Sequence, residues 1–97
     1  MSNRQRFENK VVIVTGAAQG IGRGVALQVA SEGAQVVMAD LSPYVEEVLA
    51  EIEATGGDAI TIKANLETFA GAQSVVEKAL DTYGRVDVLI NNVGGAI

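Results

Sequence analysis

The chain has 97 residues, 48% of them hydrophobic and 20% charged, enough for one small domain with a modest core. Its net charge is −5, with no basic cluster, which argues against a nucleic-acid partner and against docking on an anionic membrane. Cysteine and histidine are both absent, which excludes disulfides, thiolate nucleophiles, imidazole bases and Cys/His zinc sites, and no metal site is expected.

The first ten residues, MSNRQRFENK, have no apolar signal core. No apolar run approaches the roughly 20 residues of a membrane span, so a cytoplasmic soluble protein is expected. KVVIVT (10–15) is dominated by β-branched residues and reads as a buried strand. A helix follows, with Ile21, Val25 and Val29 on one face beside Ala26 and Ala30, and Gly33 as its stop. QVVMAD (35–40) is a second strand. Ser42 supplies an N-cap and Pro43 a first helical position. Val45, Val48, Leu49 and Ile52 then form an amphipathic helix ended by Gly56 and Gly57.

AITIKAN (59–65) alternates apolar and polar residues, as an edge strand does. Thr68 caps a third helix, predicted to bury Phe69, Ala72, Val76, Ala79 or Leu80, and Tyr83, with Gly84 as its stop. VDVLIN (86–91) is apolar on both faces, as a central strand is. The order β-α-β-α-β-α-β predicts an α/β fold, a doubly wound parallel sheet with right-handed crossovers. A nucleotide-binding sheet of this Rossmann type has the strand order 3-2-1-4.

The turn TGAAQGIG (15–22) joins the first strand to the first helix, where such sheets bind ligands. A helix N-terminus there attracts a pyrophosphate. Gly16 permits the sharp turn, Gly20 lets phosphates approach the backbone, and Gly22 lets the helix pack close to the sheet. Asp40, at the end of the second strand, suits the two hydroxyls of an adenosine ribose and repels a 2′-phosphate. A turn-forming or capping role is the alternative. Neither Gln19 nor Leu41 is basic, so NAD is expected over NADP.

With TGAAQGIG, Asp40 and NNVGG (91–95) in place, the chain resembles the short-chain dehydrogenase/reductase family over essentially its whole length. RFENKVVIVTGAAQGIGRGVAL and NNVGGAI resemble most closely the bacterial cis-diol dehydrogenases that act on dihydroxycyclohexadiene carboxylate. The family resemblance implies that Gly16, Gly20, Ile21 and Gly22 line the pyrophosphate, that Gln19 also belongs to the cofactor site, and that Asp40 holds the ribose. It implies that Asn65 and Leu66 stand where the family has Asp and an apolar residue gripping adenine, the Asn65 amide oxygen accepting from the adenine amino group. Asn91 would brace the sheet, and the backbone from Asn92 through Val93 to Gly94 would pass the nicotinamide ribose.

The family's catalytic residues are a serine and a tyrosine followed four residues later by lysine. Tyr44 is followed at that spacing by Val48, and Tyr83 by Asp87, so no catalytic residue is assigned here. The chain is therefore expected to be the N-terminal, cofactor-binding part of a longer enzyme and inactive alone. The whole enzyme would oxidise a small-molecule cis-diol carboxylate to a catechol with loss of CO₂. It would form a homodimer or homotetramer, as family members usually do. A 3-oxoacyl carrier-protein reductase is the alternative within the family, and a non-catalytic nucleotide-binding module the alternative outside it. Arg23, Asp81, Arg85 and Asp87 are expected to be solvated surface charges.

Overall fold

All five side chains of the first strand, β1 (Val11–Thr15), are buried, as a strand covered on both faces requires. The structure is a computed structural model, and it describes residues 6–92. After β1 come α1 (Gly20–Ser31), β2 (Gln35–Ala39), α2 (Val45–Ala54), β3 (Asp58–Ile62), α3 (Phe69–Tyr83) and β4 (Val88–Ile90). The strands are parallel and lie in the order β3-β2-β1-β4. This is the expected Rossmann-type order, with β3 at an edge. β4 forms the other edge among the described residues, so the predicted central strand pairs here with β1 alone.

The alternation of side chains along β1 and β2 builds two cores. Val12, Val14, Val36 and Met38 pack with Ala26 and Val29 of α1 and with Val45, Val48 and Ile52 of α2. Val11, Ile13, Val37 and Ala39 face the opposite way, onto Val75 and Ala79 of α3. Two helices therefore cover one side of the sheet and one the other. Each fully buried Val or Ile contributes about 1.5–3 kcal/mol relative to an exposed one, so β1 and β2 dominate the stability.

Two helical faces differ from expectation. In α1 the sheet-facing residues are Gly22, Ala26 and Val29, while Ile21 is 76% exposed. In α3 the buried residues are Val75 and Ala79, while Phe69, Ala72, Val76 and Leu80 are exposed. The i, i+4 spacing of Val75, Ala79 and Tyr83 competes with the stripe through Val76 and Leu80. On α1 the small residues Gly22 and Ala26 let the helix approach the sheet, whereas on α3 the position of the sheet selects Val75 over Val76. Helix α2 begins later than Ser42 and Pro43 suggest. Those residues form a tight turn in which the Tyr44 peptide N–H donates to Ser42 Oγ at 3.1 Å.

Three of the expected surface charges make defined contacts. Asp87 Oδ2 accepts from the Val11 peptide nitrogen at 2.8 Å and so fixes the start of β1. Arg85 donates to the other oxygen of the same carboxylate at 2.8 Å. Arg23 reaches from α1 to both carboxylate oxygens of Glu51 on α2 at 2.6 Å. Both partners of that pair remain half-exposed, so it contributes at most about 1 kcal/mol.

Candidate functional site

The carboxyl ends of β1, β2 and β4 converge on the glycine turn. Gly16 has φ +64°. A Cβ on it would fall 2.1 Å from the Asn92 carbonyl oxygen. A Cβ on Gly22 would fall 2.0 Å from the Gly16 carbonyl oxygen and 2.8 Å from Asn92 Nδ2. Gly22 thus lets the start of α1 close onto the turn after β1 and onto Asn92 after β4. Gly20 differs, with φ +63° and nothing within 4 Å of where its Cβ would stand. The backbone is bare on its solvent side there, as the close approach of a ligand requires.

Helix α1 leaves its first peptide nitrogens available. Its N-cap residue, Gln19, is extended and makes no side-chain cap, and no acidic residue lies in the first turn. Helix α3 is the contrast, since Thr68 Oγ1 accepts from the Gly71 nitrogen at 2.9 Å. An uncapped helix start concentrates partial positive charge where a pyrophosphate would sit. The exposed Ile21 side chain stands at the same turn.

Asp40 follows β2 and is half-buried. One carboxylate oxygen accepts from the Ala18 nitrogen at 3.0 Å and the other from the Ser42 nitrogen at 2.9 Å. It is thus the turn former that its sequence position allowed. A carboxylate has about four acceptor positions, so two remain for hydroxyl donors.

Thr15 is the residue that the sequence reading missed. Its buried hydroxyl donates to Asn91 Oδ1 at 3.0 Å and accepts from the Asn92 nitrogen at 2.7 Å. Asn92 Nδ2 donates in turn to the Gly16 carbonyl at 3.4 Å. The end of β4 is thereby tied to the end of β1, and Asn91 braces the sheet. The available signal was a hydroxyl closing an otherwise apolar run, VVIVT, in a sheet whose outer strand ends in two amides.

Asn65 lies beyond the end of β3 and is exposed. Its Oδ1 accepts from the Glu67 nitrogen at 2.9 Å, which leaves one of that oxygen's two acceptor positions for a ligand. Leu66 is half-buried and packs against the core beneath α3. Gly94 lies outside the described residues. Among the described residues no three acidic side chains converge to hold a metal, and no helix is long and apolar enough to cross a membrane.

A parallel sheet with a glycine-lined, uncapped helix start and an acid ending the second strand is a dinucleotide-binding arrangement. The sequence matches the short chain dehydrogenase family over residues 10–97, and the chain belongs to that family. It is 63% identical over 97 residues to the 1,6-dihydroxycyclohexa-2,4-diene-1-carboxylate dehydrogenase of Acinetobacter baylyi, which covers all of this chain and 37% of that protein. It is 46% identical over 93 residues to the protein of the same name from Pseudomonas putida, covering 96% of this chain and 34% of that one. The crystal structure of a hydroxysteroid dehydrogenase from Escherichia coli superposes with a TM-score of 0.91 at 33% identity, covering 98% of this chain and 41% of that one. The chain spans about a third of the length of the curated relatives it matches.

Proposed function

We propose that this chain is the NAD-binding part of a dehydrogenase that oxidises a cis-dihydroxycyclohexadiene carboxylate to a catechol with loss of CO₂. The observation that carries this reading is the 63% identity, over all 97 residues of the chain, to a relative with that substrate in its name. The family itself consists of dehydrogenases.

The residues present fit a dinucleotide. Gly16, Gln19, Gly20, Ile21 and Gly22 would hold the pyrophosphate at the uncapped start of α1. Asp40 would take the ribose hydroxyls through its two remaining acceptor positions, and its charge beside the neutral Gln19 and Leu41 disfavours a 2′-phosphate. Thr15 would position Asn91 and Asn92, whose backbone would run past the nicotinamide ribose towards Gly94. When bound, NAD would supply the acceptor for a hydride from the carbinol carbon. The balance needs no further reagent, because the substrate carboxylate leaves as CO₂ and its bonding electrons stay in the ring that becomes aromatic.

The serine, tyrosine and lysine of the family and the substrate pocket belong in this reading to a continuation of the polypeptide. Assembly as a homodimer or homotetramer in the cytoplasm belongs to the same reading. The test is turnover by the full-length gene product. Reduced dinucleotide formation at 340 nm and catechol release are expected with NAD and the cis-diol carboxylate, and much slower rates with NADP. No turnover of that substrate overturns the substrate assignment, and faster turnover with NADP overturns the role of Asp40.

A further inference from the structure

We infer that residues 6–10 form a strap clasped to the C-terminal end of α1 by Arg6 and Glu32, and that acid opens this strap while the sheet stays folded. The chain enters β1 through a tight turn, in which Asn9 has φ +66° and the Lys10 nitrogen donates to the Phe7 carbonyl at 2.9 Å. Phe7 is half-buried and packs on the core that β1 and β2 share with α1 and α2. Its own nitrogen donates to the Glu32 carbonyl at 2.8 Å. Beside that bond, Arg6 Nη2 donates to Glu32 Oε2 at 2.9 Å.

Glu32 is an unfavourable residue for its place. It is the C-cap of α1, where a helix gathers partial negative charge, and the last turn of α1 holds no basic residue. It is also buried, at 6% exposure. A buried carboxylate is costly unless a hydrogen bond and an opposite charge meet it. The neutral Gln28 supplies one hydrogen bond, from Nε2 at 2.5 Å. Arg6 supplies the other together with the cation. Among the described residues no other charged group acts on this carboxyl. β2 opens on the neutral Gln35, and Lys10, just before β1, acts on Asp87 instead.

The Arg6 bond foremost, and then that from Gln28, hold the Glu32 carboxyl below its ordinary range. The clasp is therefore complete above the ordinary glutamate pKa of about 4, and it is lost as pH falls through the lower value of the docked state. What then remains between strap and body is one half-buried ring and one main-chain bond to α1. By contrast, every side chain of β1 and all but the first of β2 are buried. Segments with few buried contacts open at a lower free energy than core strands do, so the strap opens first. It lies at the end of α1 away from the glycine turn, and its opening is read from the strap itself.

The test is amide hydrogen exchange of the full-length gene product, read for residues 6–10 and for β2 and corrected for the intrinsic effect of pH. Between about pH 6 and pH 3 the protection of the Phe7 and Lys10 amides is expected to fall about tenfold or more, the size of one charge-assisted hydrogen bond lost, while β2 keeps its protection. At about pH 6, Glu32→Gln and Arg6→Ala are expected to show the loosened strap already, and Arg6→Lys to recover part of the protection. The Glu32→Gln strap should respond no further to acid. Asp87, which titrates beside Val11, is intact in that variant, so a persisting acid response there assigns the opening to Asp87 and overturns the inference. A strap still protected at the lower pH, or one that loosens only together with β2, overturns it as well.

Discussion

The Asp40 carboxylate accepts from the Ala18 peptide nitrogen at 3.0 Å, which ties the end of β2 to the turn that opens α1. The same carboxylate holds the Ser42 nitrogen, so it shapes the loops on both sides of the ribose position. Specificity and loop order therefore share one side chain. Asp40→Ala is expected to lower stability by about 1–3 kcal/mol through two unpaired peptide donors, and to weaken NAD binding as well. Urea unfolding and dinucleotide titration on the same samples check this. Unchanged stability would reduce Asp40 to a ligand contact alone.

The glycines separate by what a methyl group would meet. Gly22→Ala drives a Cβ into the Gly16 carbonyl and is expected to cost about 1–3 kcal/mol, as overpacking does. Gly20→Ala meets no atom but carries a positive φ, which costs about 1–2 kcal/mol, and it places a methyl group where the phosphates would approach. Gly24→Ala meets nothing within 4 Å in the helix interior and is expected to stabilise by about 0.5–1 kcal/mol. Thermal unfolding of the three variants gives the ranking, and a stabilised Gly22→Ala would refute the packing described for the turn.

Thr15→Val is close in shape to Thr but strips the hydroxyl that joins Asn91 to Asn92. An expected loss of about 1–3 kcal/mol follows from leaving an amide oxygen and a peptide N–H unpaired. Thr15→Ser should recover most of it. If Val and Ser variants unfold at the same denaturant concentration, the hydroxyl is not what holds β4 to β1.

Acid should weaken the fold through Asp87 and Glu32. The hydrogen bond from Arg85, then that from the Val11 nitrogen, hold the Asp87 carboxyl below its ordinary range. Hydrogen bonds from Arg6 and Gln28 do the same for Glu32. A carboxyl depressed in the folded state contributes stability above its unfolded pKa of about 4 and loses it as pH falls further. Chemical unfolding at pH 7, 5 and 3 is expected to show a steeper loss below about pH 4 for the wild type than for Asp87→Asn. Parallel curves would remove Asp87 from the account. Tyr83 lies outside this window, because burial and then its bond to Asp58 raise it well above the ordinary tyrosine range.

The alternation of strands and helices and the glycine turn were legible in the sequence because they depend on composition and local geometry, whereas the spatial order of the strands followed only from the class of nucleotide-binding sheet. β-Branched runs specify buried strands whatever surrounds them, and a missing Cβ at Gly16 leaves a mark in one letter. Helical faces were less legible. Val75 and Val76 are equal as letters, and only the position of the sheet decides between them. Hydrogen bonds across the sheet were not legible at all. Thr15 with Asn91, Asp87 with Val11, and the turn that engages the Asn65 oxygen all depend on where distant backbone falls.

The bond from the Asn92 nitrogen to Thr15 Oγ1 joins positions 77 residues apart. During synthesis the glycine turn leaves the ribosome long before the strand that must lie beside it. A growing chain that stops short of β4 has the turn but neither the Asn92 carbonyl against Gly16 nor the amide that holds it. Pairings of such long range form late and slowly. Dinucleotide capture would therefore mark the moment when the newest strand has found the oldest, and a cell well supplied with the ligand would draw nascent chains towards the folded state by mass action.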